Sequence, residues 1–289
     1  MPHTIPVCRL LLCACLLPFS AVFGHGAYHD RLAEITRELE LRPNDAELFR
    51  QRALLHVSHE DWQAALVDLE HADRLNPGGA MSDGIRGRAL NLARQWAAAL
   101  AALESHLKTQ PDDAESVFQR ARAQHHLGRL DEAVKDYRHA LLLMEPAAAE
   151  RVIEAAEVIR IHEGTAASLV ILDAALQKLG PDPALLQQTL KLAEKEGLHE
   201  RALSAVQSLM EQAPRPEPWM LRRAEILRQA GRADDAKAAW SSLRDHLLAL
   251  PNLERGTPLL AQIFAETQHA LGTSAPAPVI AAPASPPKP

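Results

Sequence analysis

Residues 114–140 read AESVFQRARAQHHLGRLDEAVKDYRHA, with Ala121, Ala133 and Ala140 at the eighth, twentieth and twenty-seventh places. The stretch beginning at Ala46 repeats the pattern, with Ala53, Ala65 and Ala72 at the same places. Two antiparallel helices approach closely only where the side chains at their crossing are small and bulkier apolar neighbours fill the grooves beside it. The bulky residues are present: Phe49, Trp62 and Leu69 in the first stretch, Leu130 and Tyr137 in the second, and Trp240 further on. They are read as core.

Prolines mark the period. Pro43, Pro77 and Pro111 are 34 residues apart, and Pro146, Pro181, Pro214 and Pro251 continue at spacings of 35, 35, 33 and 37. A recurrence of this length is the signature of a stacked helical repeat. Local signals agree. Asn44-Asp45-Ala46-Glu47 and Asp112-Asp113-Ala114-Glu115 each place a capping side chain three residues ahead of a Glu, in the manner of a capping box. Gly128, Gly197 and Gly231 fall where the first helix of a pair stops, since Gly enters the left-handed conformation cheaply. Residues 28–41 and 257–271 are expected to form single helices covering the two ends, because a stacked array otherwise exposes an apolar face.

Composition supports an all-α chain. Of 289 residues only 11 are aromatic (5 Phe, 4 Trp, 2 Tyr), while 47% are hydrophobic, and Ala, Leu, Arg, Glu and Gln crowd every segment. The formal charge of −6, from 31 Lys+Arg against 37 Asp+Glu, argues against a basic nucleic-acid or membrane-surface binder.

These features resemble the tetratricopeptide repeat (TPR) family. Its pattern of bulky, small, turn Gly, Ala, aromatic or Leu, Ala and Pro is matched by Phe49, Ala53, Ala65, Leu69, Ala72 and Pro77. It is matched again by Ala121, Gly128, Ala133, Tyr137 and Ala140, and by Ala224, Gly231, Ala236, Trp240 and Pro251. The second unit keeps Gly87, Ala99, Leu103 and Pro111 but carries His106 where a small residue is expected. The fourth unit, around Ala156, Ser168 and Ala175, and the fifth, around Gly197, Ala202 and Pro214, are degenerate. The resemblance implies a right-handed superhelical solenoid of about six antiparallel helix pairs over residues 46–251. A capping helix at 25–45 and another at 252–272 complete it.

Outside the repeat, Arg9 precedes an uncharged run from Leu10 to Phe23, and Val22 and Gly24 suit a signal-peptidase site. Residues 1–24 therefore read as a secretory signal cleaved before His25, which predicts a periplasmic or secreted protein. The run is shorter than the about 20 residues that span a bilayer, so no stable membrane span is expected. A lipidation box at Leu12-Cys13-Ala14-Cys15 is the weaker alternative, since Cys13 is atypical there. All three cysteines, Cys8, Cys13 and Cys15, would leave with the signal, and with them any disulfide, thiolate metal site or cysteine nucleophile. Residues 273–289 hold six prolines in 17 residues and read as an extended, solvated tail.

No phosphate-cradling Gly loop, GxSxG turn or HExxH helix is present, so no enzyme activity and no cofactor is expected. The acid pairs Asp112-Asp113 and Asp234-Asp235 stand where they lead helices. His56 with His59 and His125 with His126 raise a metal site between units, although neighbouring helical residues point in different directions. A mature terminus at His25 could chelate copper with His29, in the way that secreted copper mono-oxygenases begin. Those enzymes use a β-sandwich, which an Ala/Leu-rich chain does not supply.

The resemblance implies a functional surface as well. In the family the first helix of each pair lines the concave face. Its ligand-contacting places correspond here to Arg50, Arg88, Arg122, His125, His126, Arg160, Lys191 and Arg228. A line of cations in an acidic protein suits an acidic protein or peptide segment. Glu47, Glu115, Glu157 and Glu225 fall on the same face and could neutralise it, leaving an ordinary solvated helix surface.

Overall fold

The computed structural model describes residues 20–77, 80–251, 254 and 256–272. Every helix and strand element among them is an α-helix, fourteen in all. They are α1 (Ser20–Leu41), α2 (Ala46–Ser58), α3 (Trp62–Leu75), α4 (Ala80–Leu92), α5 (Trp96–Leu107), α6 (Ala114–His126) and α7 (Leu130–Leu143), followed by α8 (Ala149–Glu163), α9 (Thr165–Leu179), α10 (Pro183–Lys195), α11 (His199–Gln212), α12 (Glu217–Gln229), α13 (Ala233–Ala249) and α14 (Pro258–Ala270). In chain order the twelve helices α2 to α13 run between α1 and α14. The seven spaced prolines stand in the connections before the first helix of each pair and after α13, where their fixed φ and missing N–H cannot break a helix. No described helix is long and apolar enough to cross a membrane. The proposed signal lies outside the described residues up to position 19, and α1 runs on through 20–24. The proline-rich tail lies wholly outside them.

The chain divides between Leu127 and Gly128 into two compact units. In the first, α2 packs on α3, α4 on α5, and α1 covers α2. The first helices of successive pairs also touch, α2 with α4 and α4 with α6, whereas α3 and α5 make marginal contact at most. Closer approach on one side than on the other curves this unit with α2, α4 and α6 on its inner side. In the second unit α8 packs on α9, α10 on α11 and α12 on α13, with α8 against α10 and α14 against α12 and α13.

Small residues sit where close approach requires them. Ala53, Ala65, Ala72, Ala121, Ala133, Ala140, Ala202, Ala224 and Ala236 are fully buried. Ala53, Ala65, Leu69 and Ala89 share one core cluster. Of the bulky residues, Leu69, Tyr137 and Trp240 are core as expected. Phe49, Trp62 and Leu130 are only half-buried, and the Phe49 ring lies stacked on His71, with ring centres 5.2 Å apart. The caps sit one residue later than the capping-box pattern places them. Asp45 caps α2 by accepting from the Glu47 and Leu48 amides, and Asp113 precedes α6 with its carboxylate engaged elsewhere.

The second pair shows how the repeat absorbs a violation of its pattern. His106, where the first pair has Ala72, is buried at 4% exposure. Its room comes from Gly84: a Cβ there would stand 3.1 Å from the His106 ring. Gly87 is more tightly constrained, since its Cβ would fall 2.7 Å from Leu103 Cδ2. The buried ring meets a partner, with His106 Nε2 2.8 Å from Asp113 Oδ2, while Ser116 Oγ donates to the same oxygen at 2.5 Å. Burial pushes the Asp113 carboxyl up, but the bonds from Ser116 and His106 outweigh it and hold the group below the usual carboxylate range. With the acid between the serine and the histidine, Ser116 has no base to activate it, so this cluster ties α5 to α6 and does not resemble a nucleophilic triad.

The turns within pairs need a left-handed residue. Gly128, Gly197 and Gly231 supply it at φ +76°, +67° and +75°, as the sequence predicts. In the first two pairs Glu60 and Arg94 occupy it instead, at φ 62° and 58°, against the usual steric preference.

Candidate functional site

On the inner side of the first unit, Arg88 of α4 and Glu115 of α6 meet at 3.6 Å, measured from Nε to Oε1. The Gln119 side-chain amide donates to that same Glu115 oxygen at 2.7 Å, and Arg122 Nη1 donates to Gln119 Oε1 at 3.3 Å. Behind them Asn91 Nδ2 donates to both the backbone and side-chain oxygens of Gln119, at 2.8 and 3.0 Å. The buried Asn91 and Gln119 thus fix the spacing of α4 and α6, and with it the separation of Arg88 and Arg122. The Arg122 guanidinium also lies 5.6 Å from the Phe118 ring centre, a cation–π distance. At the end of α6 the His126 ring stacks on Trp96 with centres 3.9 Å apart, and His125 is tilted against it at 5.2 Å. Arg50 stands on α2, its Nε 2.9 Å from Glu47 Oε2.

The predicted cations of the second unit gather in a similar way. Arg160 makes two bonds to Glu157, at 2.9 and 2.7 Å. These bonds, with the attraction of Lys191 and Lys195 from α10, hold the Glu157 carboxyl below its ordinary range. Arg228 is exposed and lines a cleft of about 760 Å³ with Leu221, Glu225, Trp240, Glu266 and His269. Glu225 pairs with Arg222, at 2.9 Å, and not with Arg228.

The structure therefore brings Arg88 together with Arg122, Arg160 with Lys191, and His125 with His126, and leaves Arg50 and Arg228 on helices of their own. Glu47, Glu115 and Glu157 do neutralise part of the stripe. Arg50 Nη1 is buried with no hydrogen-bond partner, and the buried Arg88 Nε has only its longer ion-pair contact to Glu115. Sequence reasoning missed Asn91, Gln119 and Trp96, which position the stripe. Their signal is weak because side-chain amides and a helix-leading Trp read equally well as surface.

The histidines raised as metal ligands do not assemble. His56 Nε2 lies 3.8 Å from Asp68 Oδ2, its Nδ1 is 3.4 Å from the Tyr28 hydroxyl oxygen, and His59 stacks on Tyr28 with centres 3.5 Å apart. Burial holds the His56 imidazole below its ordinary pKa despite the pull of Asp68 and Asp61. His29 is exposed on α1, with its ring 5.1 Å from Tyr28, and the side chain of His25 lies outside the described part. Among the described residues no group of three His, Cys, Asp or Glu side chains could hold a metal ion.

Solved structures resemble this arrangement. The one obtained in the functional characterisation of PilF from Pseudomonas aeruginosa is 16% identical, with a TM-score of 0.51, over 78% of this chain and 96% of that one. TTC0263, described as a thermophilic TPR protein of Thermus thermophilus, is 18% identical with a TM-score of 0.45, over 63% of this chain and 99% of that one. YrrB, described as a TPR protein with an unusual peptide-binding site, is 23% identical with a TM-score of 0.44, over 57% and 84%. No family model and no curated protein matches the chain. The likeness to the PilF structure agrees with the helix pairs at near-34-residue spacing and the buried alanines, and on these together the chain has the tetratricopeptide-repeat fold.

Proposed function

We propose that the protein is a non-catalytic interaction scaffold of the cell envelope, holding an acidic segment of a protein partner on the face formed by α2, α4 and α6. The supporting observation is that Arg88 meets Glu115 and Arg122 meets Gln119, the amide that bonds the same Glu115 oxygen, so both guanidinium groups are held on adjoining helices, while Arg50 Nη1 is buried without a hydrogen-bond partner. Arg88 and Arg122 stand on adjoining first helices, and charge-assisted bonds from Arg to carboxylate are among the stronger polar contacts. An array of adjoining first helices is also the kind of extended curved surface on which stacked repeats bind partners.

The test is titration of a fluorescent polyglutamate-rich peptide into the protein and into the Arg88→Glu, Arg122→Glu double variant. Binding is expected to weaken more than ten-fold in the variant, and to weaken with salt in the wild type, at unchanged helicity. Equal affinity for the two proteins refutes the assignment of this face. Export rests on the pattern of residues 1–24. Amino-terminal sequencing of protein from the envelope fraction should begin at His25, and a start at Met1 contradicts it.

A further inference from the structure

Beneath the connection from α7 to α8, within the second unit, lies a cavity of about 260 Å³ walled by Leu141, Leu142, Val152, Ile171, Ala175 and Leu179. It exists because small residues stand where larger ones would close it: Ala147 and Ala174 front it beside Ala175. Leu142 and Leu179 at its edge are 66% and 37% exposed. Its volume lies just under the usual range of about 300–1,000 Å³ for small-molecule sites. Aliphatic walls of this size suit a short unbranched hydrocarbon chain.

The same wall carries two cations and one acid, Arg138, Lys178 and Glu145. The Arg138 guanidinium is held by both oxygens of Glu163, at 2.7 and 2.6 Å. Lys178 Nζ has a single ion pair, 2.7 Å from Glu145 Oε1, with both side chains about half exposed at 45% and 54%. An exposed pair of this kind holds its partners weakly. The lysine is fixed on α9, whereas Glu145 sits in the connection after α7 and can turn to water. An incoming carboxylate can therefore replace Glu145 on Lys178 without leaving a buried charge unpaired.

We propose that this cavity binds a free medium-chain fatty acid, its hydrocarbon chain among Leu141, Val152, Ile171 and Ala175 and its carboxylate on Lys178. The site is separate from the α2–α4–α6 face and stands or falls independently of it.

Calorimetric titration of the full chain with hexanoate, octanoate and decanoate, all below micellar concentration, tests the proposal. Octanol and octyltrimethylammonium serve as head-group controls. Affinity is expected to rise about four-fold per added methylene until the cavity is full. Ala175→Leu should lower octanoate affinity at least ten-fold while thermal unfolding shows an intact fold. If that variant does not fold, Ala174→Leu at the mouth should have the same effect. Lys178→Gln should weaken octanoate about ten-fold and leave octanol unchanged. No dependence on chain length, undiminished binding by the filled variants, or a preference for the ammonium head overturns the proposal.

Discussion

The two units share a repeat length and differ in what holds their helices together. The first is tied by buried polar contacts. Arg52 grips Asp68 with two bonds, at 2.8 and 2.7 Å, where Asp68 is 3% exposed. Asn91 holds Gln119, and His106 holds Asp113. The second relies more on aliphatic clusters, such as that of Val152, Ala156, Leu169, Leu172, Leu185 and Leu192, with pairs such as Arg138–Glu163 at the surface and Glu217, 1% exposed, held by His246 at 3.1 Å. One period can evidently be kept by either chemistry, provided the crossing residues stay small. The polar version fixes side chains on the inner side, and the aliphatic version leaves room for a cavity.

The largest expected difference lies in the ion pairs. Asp68→Ala strands Arg52 in the first unit and should cost about 3 kcal/mol. Glu163→Ala, which removes the comparable two-bond partner of Arg138 from the surface of the second unit, should cost less than about 1 kcal/mol. Urea unfolding of both variants measures the gap, and equal losses would erase the distinction. Next comes packing. Gly87→Ala forces a methyl onto Leu103 and should destabilise by about 1–3 kcal/mol; the double variant with Leu103→Ala should recover part of what the glycine substitution alone costs.

The turns should respond in opposite directions. Gly231→Ala should lose about 1 kcal/mol, whereas Glu60→Gly, which relieves a left-handed non-glycine residue, should gain about 0.5 kcal/mol. Thermal unfolding resolves both, and a loss in Glu60→Gly would show that the side chain contributes more than its backbone strain removes. The smallest effect concerns pH. His56 has a folded pKa below its unfolded value near about 6.5, so the unfolded chain takes up protons first. Stability should fall as pH drops from about 6.5 through the folded pKa, and His56→Gln should flatten that slope.

Much of the fold was legible because it rests on size and spacing, which a sequence displays directly. Ala53, Ala65, Ala121 and Ala133 marked the crossings, and the prolines marked the connections. What escaped notice depends on compensation between distant residues. His106 looked like a broken repeat because its room is made by Gly84, and Glu60 and Arg94 carry no sign that they adopt a glycine's conformation. The end helices were anticipated at 28–41 and 257–271, but α1 begins at Ser20, where apolar residues of the expected signal continue the helical run. At the candidate site the cations were visible one by one. Their grouping around Glu115 and Glu157 was not, since it depends on which rotamers neighbouring helices allow.

The account rests on small side chains at helix crossings, and a paired substitution tests that most directly. Ala53 is fully buried, while Ala98 on α5 is exposed. Ala53→Leu should lower the unfolding free energy by about 1–3 kcal/mol or more, and Ala98→Leu should change it by no more than about 0.5 kcal/mol. Equal stability of the two variants would contradict the packing on which the repeat is built.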